Sequence, residues 1–195
     1  MSYEKDLRVL KTRRLIRDAL VTLIEKKGFK NITVNDIAEQ AMINRSTFYH
    51  HYTDKYELLD QMVNELIAEL MTLVAPEAHV KGGKLEYSSF VDTIQTILSV
   101  VAKDAQLVKV VMSDNEMIRI RRRMENTLKE KLDKSFQEQI LISKDLFLEL
   151  ITSLYMAAIE WWVNNDMKYS AGYMAEQLVR MLAAGPVKTA GLGSM

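Results

Sequence analysis

The sequence predicts an all-α protein, and three observations indicate this class. Apolar residues recur at three- and four-residue spacing through most of the chain, whereas strictly alternating runs are scarce. Only two prolines and seven glycines occur among the 195 residues. Nearly half of the residues, 48%, are hydrophobic, so the chain can bury a sizeable core. We expect a small N-terminal domain of three helices, residues 1–54, a larger helical domain, residues 55–185, and a flexible tail, residues 186–195.

Composition excludes several functional classes. Lysine and arginine total 26, as do aspartate and glutamate, so a general basic surface for nucleic acid is absent and any such contact needs a local patch. The chain has no cysteine, which excludes disulfides and thiolate metal sites. The N-terminus is charged and lacks a signal-peptide pattern, and no apolar run reaches the roughly 18–20 residues that span a bilayer. We therefore expect a cytoplasmic protein.

The first helix is predicted over residues 5–27, where Ile16, Leu20 and Leu23 share one face. Lys26, Lys27 and Gly28 form a favourable C-terminus. Its first half is basic, with Arg8, Lys11, Arg13, Arg14 and Arg17. This basic group is either a solvated helix face or a set of phosphate contacts.

Residues 33–55 predict two short helices joined by a tight bend, followed by the start of a third. Thr33 caps the first helix, Asn44 is placed to cap the second, and Asp54 caps the third with Glu57 as its capping-box partner. Phe48 faces inward on the second helix, which leaves its hydrogen-bonding side chains for solvent or a partner. Two short helices at a sharp angle, the second rich in such side chains, fit a DNA major groove.

Further helices are predicted over residues 55–74, 87–102, 104–112 and 116–140, with a loop over residues 76–86. The arginines at positions 119, 121, 122 and 123 form the densest cationic cluster. The cluster is either a solvated face paired with neighbouring carboxylates or an anion contact made by Arg119 or Arg123.

The helix predicted over residues 144–165 is apolar on two sides, and the last helix, residues 170–182, is too small to cover both. A second copy of the pair would cover them through a two-fold four-helix interface; the alternative is a monomer that buries both helices deeply. The interface residues expected are Leu150, Leu154, Ala157, Trp161, Met174, Leu178 and Met181.

The sequence does not support an enzyme, a metal site or a cofactor. The three histidines, His50, His51 and His79, have no partner at metal-ligand spacing. The GxSxG, GxGxxG and GxxxxGK patterns are absent. Nearby carboxylates such as Asp145 and Glu149 lie at ordinary helix spacing.

The segments RRLIRDAL, GFKNITVNDIAEQA and NRSTFYHHYTDKYELL together resemble the DNA-binding domain of the TetR family of bacterial transcriptional regulators. The resemblance covers residues 8–60; WWxxNDMKYS adds a weaker C-terminal resemblance. One departure is Met42, which stands where the family usually has glycine in the turn. The resemblance implies that Arg45, Ser46 and Tyr49 face base edges. It also implies that phosphates are held by Thr33, Asn44, Thr47, His50, His51 and Lys55, although His51 could instead pack beside Tyr52.

The same resemblance implies a small-molecule cavity in the larger domain. Adaptable or aromatic residues available to line it are Tyr87, Phe90, Met112, Met117, Met124, Phe147, Tyr155, Met156 and Trp162. For each of these residues taken singly, plain core is the alternative that the sequence favours.

The resulting hypothesis is a homodimeric repressor that binds a palindromic DNA operator and is released by a small-molecule effector. Two alternatives share the fold: an activator, and a helical co-regulator that acts through a protein partner without binding DNA. Binding to a DNA operator distinguishes the repressor and the activator from the co-regulator, which does not bind DNA.

Overall fold

The computed structural model describes residues 2–81, 84–113, 117–135 and 140–191, and the all-α class is confirmed. Within these ranges the helices are α1 (Ser2–Lys27), α2 (Val34–Gln40), α3 (Arg45–Tyr49), α4 (Lys55–Leu73), α5 (Tyr87–Lys103), α6 (Ala105–Ser113), α7 (Ile118–Ser135), α8 (Lys144–Asn164) and α9 (Ala171–Thr189). Residues 114–116 and 136–139, parts of which were expected to extend α7, lie outside the described residues.

The chain divides into two compact units, residues 1–66 and 67–195. The division falls inside α4 instead of at the predicted boundary before Lys55. The first turns of α4 belong to the small unit because their apolar side chains are part of its core: Leu58 and Leu59 are fully buried.

The core of the small unit draws one or more side chains from each of its helices. Ile16, Leu20, Ile37, Phe48 and Leu58 are all 0% exposed. Burying a side chain of this size stabilises a fold by about 1.5–3 kcal/mol. Phe48 therefore fixes α3, although α3 is only a short helix.

The predicted caps of α2 and α4 are confirmed. The Asp36 amide donates to Thr33 Oγ1 at 3.2 Å, and the Thr33 amide donates to Asp36 Oδ2 at 2.7 Å. At α4, the Glu57 amide donates to Asp54 Oδ1 at 2.8 Å. The Glu57 carboxylate accepts from the Thr53 amide at 2.6 Å, one residue before the expected position.

The bend between α2 and α3 has a left-handed residue at Met42, with φ 54°. This conformation is favoured by the glycine that the family usually has here, and it costs a non-glycine residue about 1–2 kcal/mol. The Met42 side chain is 87% exposed, so it points into solvent instead of packing against neighbouring side chains.

In the large unit, α5 and α9 pack closely along each other. A Cβ atom placed on Gly172 would lie 3.2 Å from Gln95 Oε1, so glycine allows the close approach. The end of α8 is tied to the following loop by Trp162, whose Nε1 donates to the Tyr169 carbonyl at 2.8 Å.

The segment predicted as a loop over residues 76–86 has regular structure. A short 3-10 turn, Pro76–His79, leads into the strands β1 (Val80–Lys81) and β2 (Lys84–Leu85). The strands are antiparallel, with Val80 opposite Leu85. The Glu86 amide donates to the His79 carbonyl at 2.7 Å and closes the base of the hairpin. Gly82 and Gly83 lie outside the described residues.

Helix α9 is interrupted at Gly185, which has φ 76° and ψ 163°, and is followed by Pro186. Helical structure then resumes to Thr189, so it extends beyond the predicted boundary at residue 185. Residues 192–195 of the predicted tail lie outside the described residues.

Helix α8 is long and apolar enough to cross a membrane by length and composition alone. This differs from the sequence expectation, which counted only uninterrupted apolar runs. In the protein α8 packs against α6 and α7, as the core helix of a helical domain does.

Candidate DNA interface and ligand cavity

The side chains predicted to read DNA bases lie exposed on α3. Arg45, Ser46 and Tyr49 all face solvent, with Tyr49 45% exposed, while Phe48 between them is fully buried. The helix thus presents a row of hydrogen-bonding groups on the side opposite its apolar anchor. Such groups can pair with the donors and acceptors on base edges in a major groove.

Arg45 and Tyr49 are joined within this row. The Arg45 guanidinium donates to the Tyr49 hydroxyl from Nε at 3.3 Å and from Nη2 at 3.0 Å. Its Cζ atom lies 5.3 Å from the centre of the Tyr49 ring. Because Nε and one side of Nη2 are engaged, the outer edge formed by Nη1 and Nη2 remains available for a bidentate contact.

Three of the predicted phosphate contacts lie around α3. Asn44 and His50 are exposed and Thr47 is half-buried. Asn44 occupies the N-cap position of α3 but makes no side-chain capping bond.

His51 is half-buried, and its ring lies 6.3 Å from that of Tyr52. Burial, together with the positive charge of Arg13 and of His50, holds the pKa of His51 below its ordinary value. The neutral imidazole is therefore the favoured form of His51 at neutral pH in the free protein. The packing beside Tyr52 that the sequence left open is present in the structure.

Thr33 and Lys55 have their donors directed inward. Both the amide and the hydroxyl of Thr33 donate to Asp36 Oδ2, each at 2.7 Å. The Lys55 ammonium donates to the carbonyls of Phe29, Lys30 and Ile32 at 3.0, 3.0 and 2.9 Å. The structure therefore does not place either side chain as a ready phosphate donor; Lys55 instead holds the 3-10 turn between α1 and α2.

Basic side chains of α1 add to this surface. Arg8, Lys11, Arg13 and Arg14 are exposed, whereas Arg17 pairs with Glu65. The effect of Arg13 on the pKa of His51 shows that this arginine lies near the end of α3. The basic run had been noted in the sequence, but spacing alone could not single out Arg13.

The large unit contains a cavity of about 100 Å³ lined by α4 to α9 and the Pro76–His79 turn. Five of the predicted pocket residues line it: Phe90, Met112, Met124, Tyr155 and Met156. Sequence reasoning missed His79, which lies in a segment predicted as loop, and Leu178, which was assigned to the dimer interface.

Four predicted pocket residues do not line the cavity. Trp162 and Met117 belong to the core, each 2% exposed. Tyr87 is exposed, with its hydroxyl 3.5 Å from the Glu176 carbonyl on α9. Phe147 is half-buried on α8 and lies outside the cavity lining.

The predicted dimer residues separate into three groups. Leu150 and Trp161 are 56% and 45% exposed, and Ala157 on the same helix is exposed as well. Leu154 and Met181 are half-buried. Met174 and Leu178 are buried inside the single chain, because that face of α9 covers α5 and the cavity. These last two side chains are therefore not available to a second copy.

None of the clustered arginines on α7 lines the cavity. Arg121 donates to the Met112 carbonyl at 3.1 Å and lies 3.7 Å from a Glu125 carboxylate oxygen. Arg119 and Arg122 are exposed. Among the described residues, no group of three histidine or acidic side chains is placed to hold a metal ion.

Comparison with known proteins gives matches in both units. Residues 16–62 match the model of the bacterial regulatory proteins of the tetR family, and residues 88–184 match that of a transcriptional regulator C-terminal region. The chain is 40% identical over 67 residues to the uncharacterized HTH-type transcriptional regulator YxbF of Bacillus subtilis (strain 168), a match that covers 34% of this chain and spans only 18% of that protein. It is 25% identical over 181 residues to the Probable acrEF/envCD operon repressor of Escherichia coli (strain K12), covering 84% and 80% of the two chains.

Solved structures share the fold. NalD, the secondary repressor of the MexAB-OprM multidrug efflux pump in Pseudomonas aeruginosa, superposes with a TM-score of 0.69 at 17% identity, covering 90% of this chain and 96% of that one. The transcriptional regulator FadR from Bacillus subtilis, solved in complex with stearoyl-CoA, gives a TM-score of 0.66 at 22% identity, covering 88% and 98%. With family matches in the N-terminal and C-terminal regions, the chain belongs to the TetR family of bacterial transcriptional regulators.

Proposed function

We propose that the protein is a homodimeric repressor that binds a palindromic operator and is released from DNA by a small-molecule effector. The observation that carries the DNA-binding part is the exposed row of Arg45, Ser46 and Tyr49 on a helix anchored by buried Phe48. In a helix-turn-helix domain this is the helix that enters the major groove.

The base contacts come from that row, with Arg45 suited to the O6 and N7 acceptors of guanine. Asn44, Thr47, His50 and the exposed basic residues of α1 contact phosphates, while His51 contributes a neutral donor. Thr33 and Lys55 act indirectly, since their donors fix α2 and the turn before it.

Dimerisation uses the exposed apolar face of α8, where Leu150, Ala157 and Trp161 face solvent in the single chain. A second copy of this face would remove those side chains from water. The two recognition helices of such a dimer must lie about 34–36 Å apart to enter successive major grooves.

Repression and effector release are supported by three similar proteins and by the cavity. The Escherichia coli relative and NalD are both named as repressors, and the FadR structure contains a bound small molecule. The cavity in the large unit gives an effector a place to bind. An effector that prefers a dimer with the wrong helix separation lowers operator affinity by shifting the population. We place the protein in the cytoplasm, where its DNA target is.

The test is selection of genomic fragments of the source organism by the purified protein, followed by titration of the selected duplex and of a scrambled one. We expect a palindromic site that binds about 10³-fold or more tighter than the scrambled duplex. Arg45→Ala should reduce this ratio, whereas Lys103→Ala, which removes one positive charge from an exposed site on α5, should leave it unchanged. Equal binding of both duplexes by the wild-type protein would contradict the proposal.

A further inference from the structure

Among the described residues, the lining of the cavity contains no lysine, arginine, aspartate or glutamate side chain. Its polar side chains are His79, Thr93 and Tyr155, and its remaining residues are aliphatic, aromatic, methionine or proline side chains. A carboxylate or ammonium placed there would lose its hydration without gaining a counter-ion, which is strongly unfavourable. The chemistry of the lining thus selects against a ligand that carries its charge inside the cavity.

The arginine cluster does not change this conclusion. Arg121 bonds to the backbone of cavity-lining Met112, but it does so from outside the lining, and its charge is shared with Glu125. In the part of the chain that the structure describes, no lysine or arginine lines the cavity.

One polar group is placed to recognise a ligand. Tyr155 makes no hydrogen bond to any described residue, although its phenol lies largely out of water on the cavity wall. Burial raises the pKa of Tyr155 to about 12, so the phenol stays protonated and can donate. By contrast, His79 already shares a 2.8 Å hydrogen bond with the Ser89 hydroxyl and lies against the Phe90 ring at 5.4 Å between centroids.

The size of the cavity limits the ligand. Its volume is about 100 Å³, smaller than the roughly 150 Å³ cavity of an engineered protein that binds benzene. A ring of that size requires a modest displacement of the lining, and flexible side chains such as Met71, Met112, Met124 and Met156 permit it.

We infer that the cavity binds a small, uncharged and mainly apolar molecule, of the order of one substituted ring, whose single hydroxyl or carbonyl group hydrogen-bonds to the Tyr155 phenol. The inference rests on the proposed function only where it assigns this molecule the role of effector. Its binding can be measured without DNA, so the two claims fail separately.

Four probes of matched shape test the inference by calorimetric titration of the full chain: toluene, benzyl alcohol, benzoate and benzylammonium. We expect benzyl alcohol to bind at least about 10-fold more tightly than either charged probe. Tyr155→Phe should weaken benzyl alcohol about 3- to 10-fold, the usual worth of one hydrogen bond, and change toluene affinity less than two-fold. Tyr173→Phe, which removes the hydroxyl of an exposed tyrosine outside the cavity lining, is the matched control and should not affect either probe.

Several outcomes would overturn the inference. These are tighter binding of benzoate or benzylammonium than of benzyl alcohol, equal loss of toluene and benzyl alcohol in Tyr155→Phe, or no binding of any probe at millimolar concentration. Ile97→Phe, which fills the cavity wall, should abolish binding of both neutral probes; undiminished binding would place their site elsewhere. If benzyl alcohol binds as expected but leaves operator affinity unchanged, the ligand class stands and the effector role in the proposed function fails.

Discussion

Arg45 and Tyr49 form one hydrogen-bonded pair on α3, in which the arginine Nε and Nη2 atoms donate to the tyrosine hydroxyl at 3.3 and 3.0 Å. An exposed arginine normally samples many rotamers, and fixing it costs conformational entropy on binding. The hydroxyl holds the guanidinium before DNA arrives and leaves the outer edge of the fork free. We therefore propose that Tyr49 positions Arg45 for its base contact.

Tyr49→Phe should consequently weaken discrimination at the base that Arg45 reads, by about 3- to 10-fold. Binding to scrambled DNA and the salt dependence should stay unchanged, because no phosphate contact is lost. The measurement is a titration against operators substituted at one position at a time. In the Arg45→Ala background the same substitution should have no further effect at that base. A second, equal loss there would show that Tyr49 acts on its own.

We expect Lys55→Met to lower the stability of the fold more than it weakens DNA binding. The substitution keeps the aliphatic stem but leaves the carbonyls of Phe29, Lys30 and Ile32 without their shared donor. We expect the free energy of unfolding to fall by about 2 kcal/mol in urea denaturation. Lys26→Met, at an exposed site on α1, is the control and should change it little. If stability is unaltered and the dependence of DNA affinity on salt concentration falls by the equivalent of about one phosphate contact, Lys55 is instead a phosphate contact.

Asp36 should make stability depend on pH in a defined direction. The Lys27 ammonium, 2.7 Å from Asp36 Oδ2, and the bonds from Thr33 hold the pKa of Asp36 well below its usual range. A lowered pKa in the folded state stabilises the fold above the unfolded-state pKa of about 3.9, and this contribution is lost as pH falls further. Asp36→Ala should thus lower stability at pH 7 and approach the wild-type value in strong acid. Glu39→Ala, on the same helix, is the control, and its difference in stability from the wild type should not shrink in strong acid. If the difference for Asp36→Ala is the same at all pH values, the lowered pKa of Asp36 is not its cause.

Leu150→Lys should disrupt self-association. Leu150 is 56% exposed in the single chain, and in the proposed dimer a lysine there would place a charge in the apolar face that a second copy covers. We expect the dimer dissociation constant to rise about 30-fold or more in sedimentation equilibrium. Val80→Lys, at an exposed apolar site on β1, should leave it unchanged. Cavity binding measured on both variants checks that the large unit is folded.

Local sequence signals predicted the elements whose causes are local. The capping residues Thr33 and Asp54 need only neighbours within one helical turn, and both were predictable. Met42 stood out only through the family resemblance, because that family usually has glycine in this turn, and its φ of 54° is the left-handed conformation that glycine adopts most readily. Phe48 was assigned to the core from helical spacing, and its burial fixes which side of α3 faces outward.

The remaining features depend on contacts between segments distant in the chain. Lys55 was expected to face a phosphate, and nothing in its neighbourhood shows that three carbonyls from residues 29–32 meet at its ammonium. Periodicity states which residues share a face of a helix but not what covers it. Tyr155 and Trp162 were both assigned to the cavity, yet Tyr155 lines it and Trp162 is core. Leu178 was placed in the dimer interface, whereas α5 and the cavity already cover it.

The central claim is that two α3 helices of one dimer read neighbouring major grooves, and hydroxyl-radical footprinting on the selected operator tests it most directly. We predict two equivalent protected regions related by a two-fold axis, with centres about 10 base pairs, or 34–36 Å, apart. Arg45→Ala should remove both protections together at the same protein concentration. A single protected half-site, or no protection by the wild-type protein at concentrations where it is dimeric, would contradict the account.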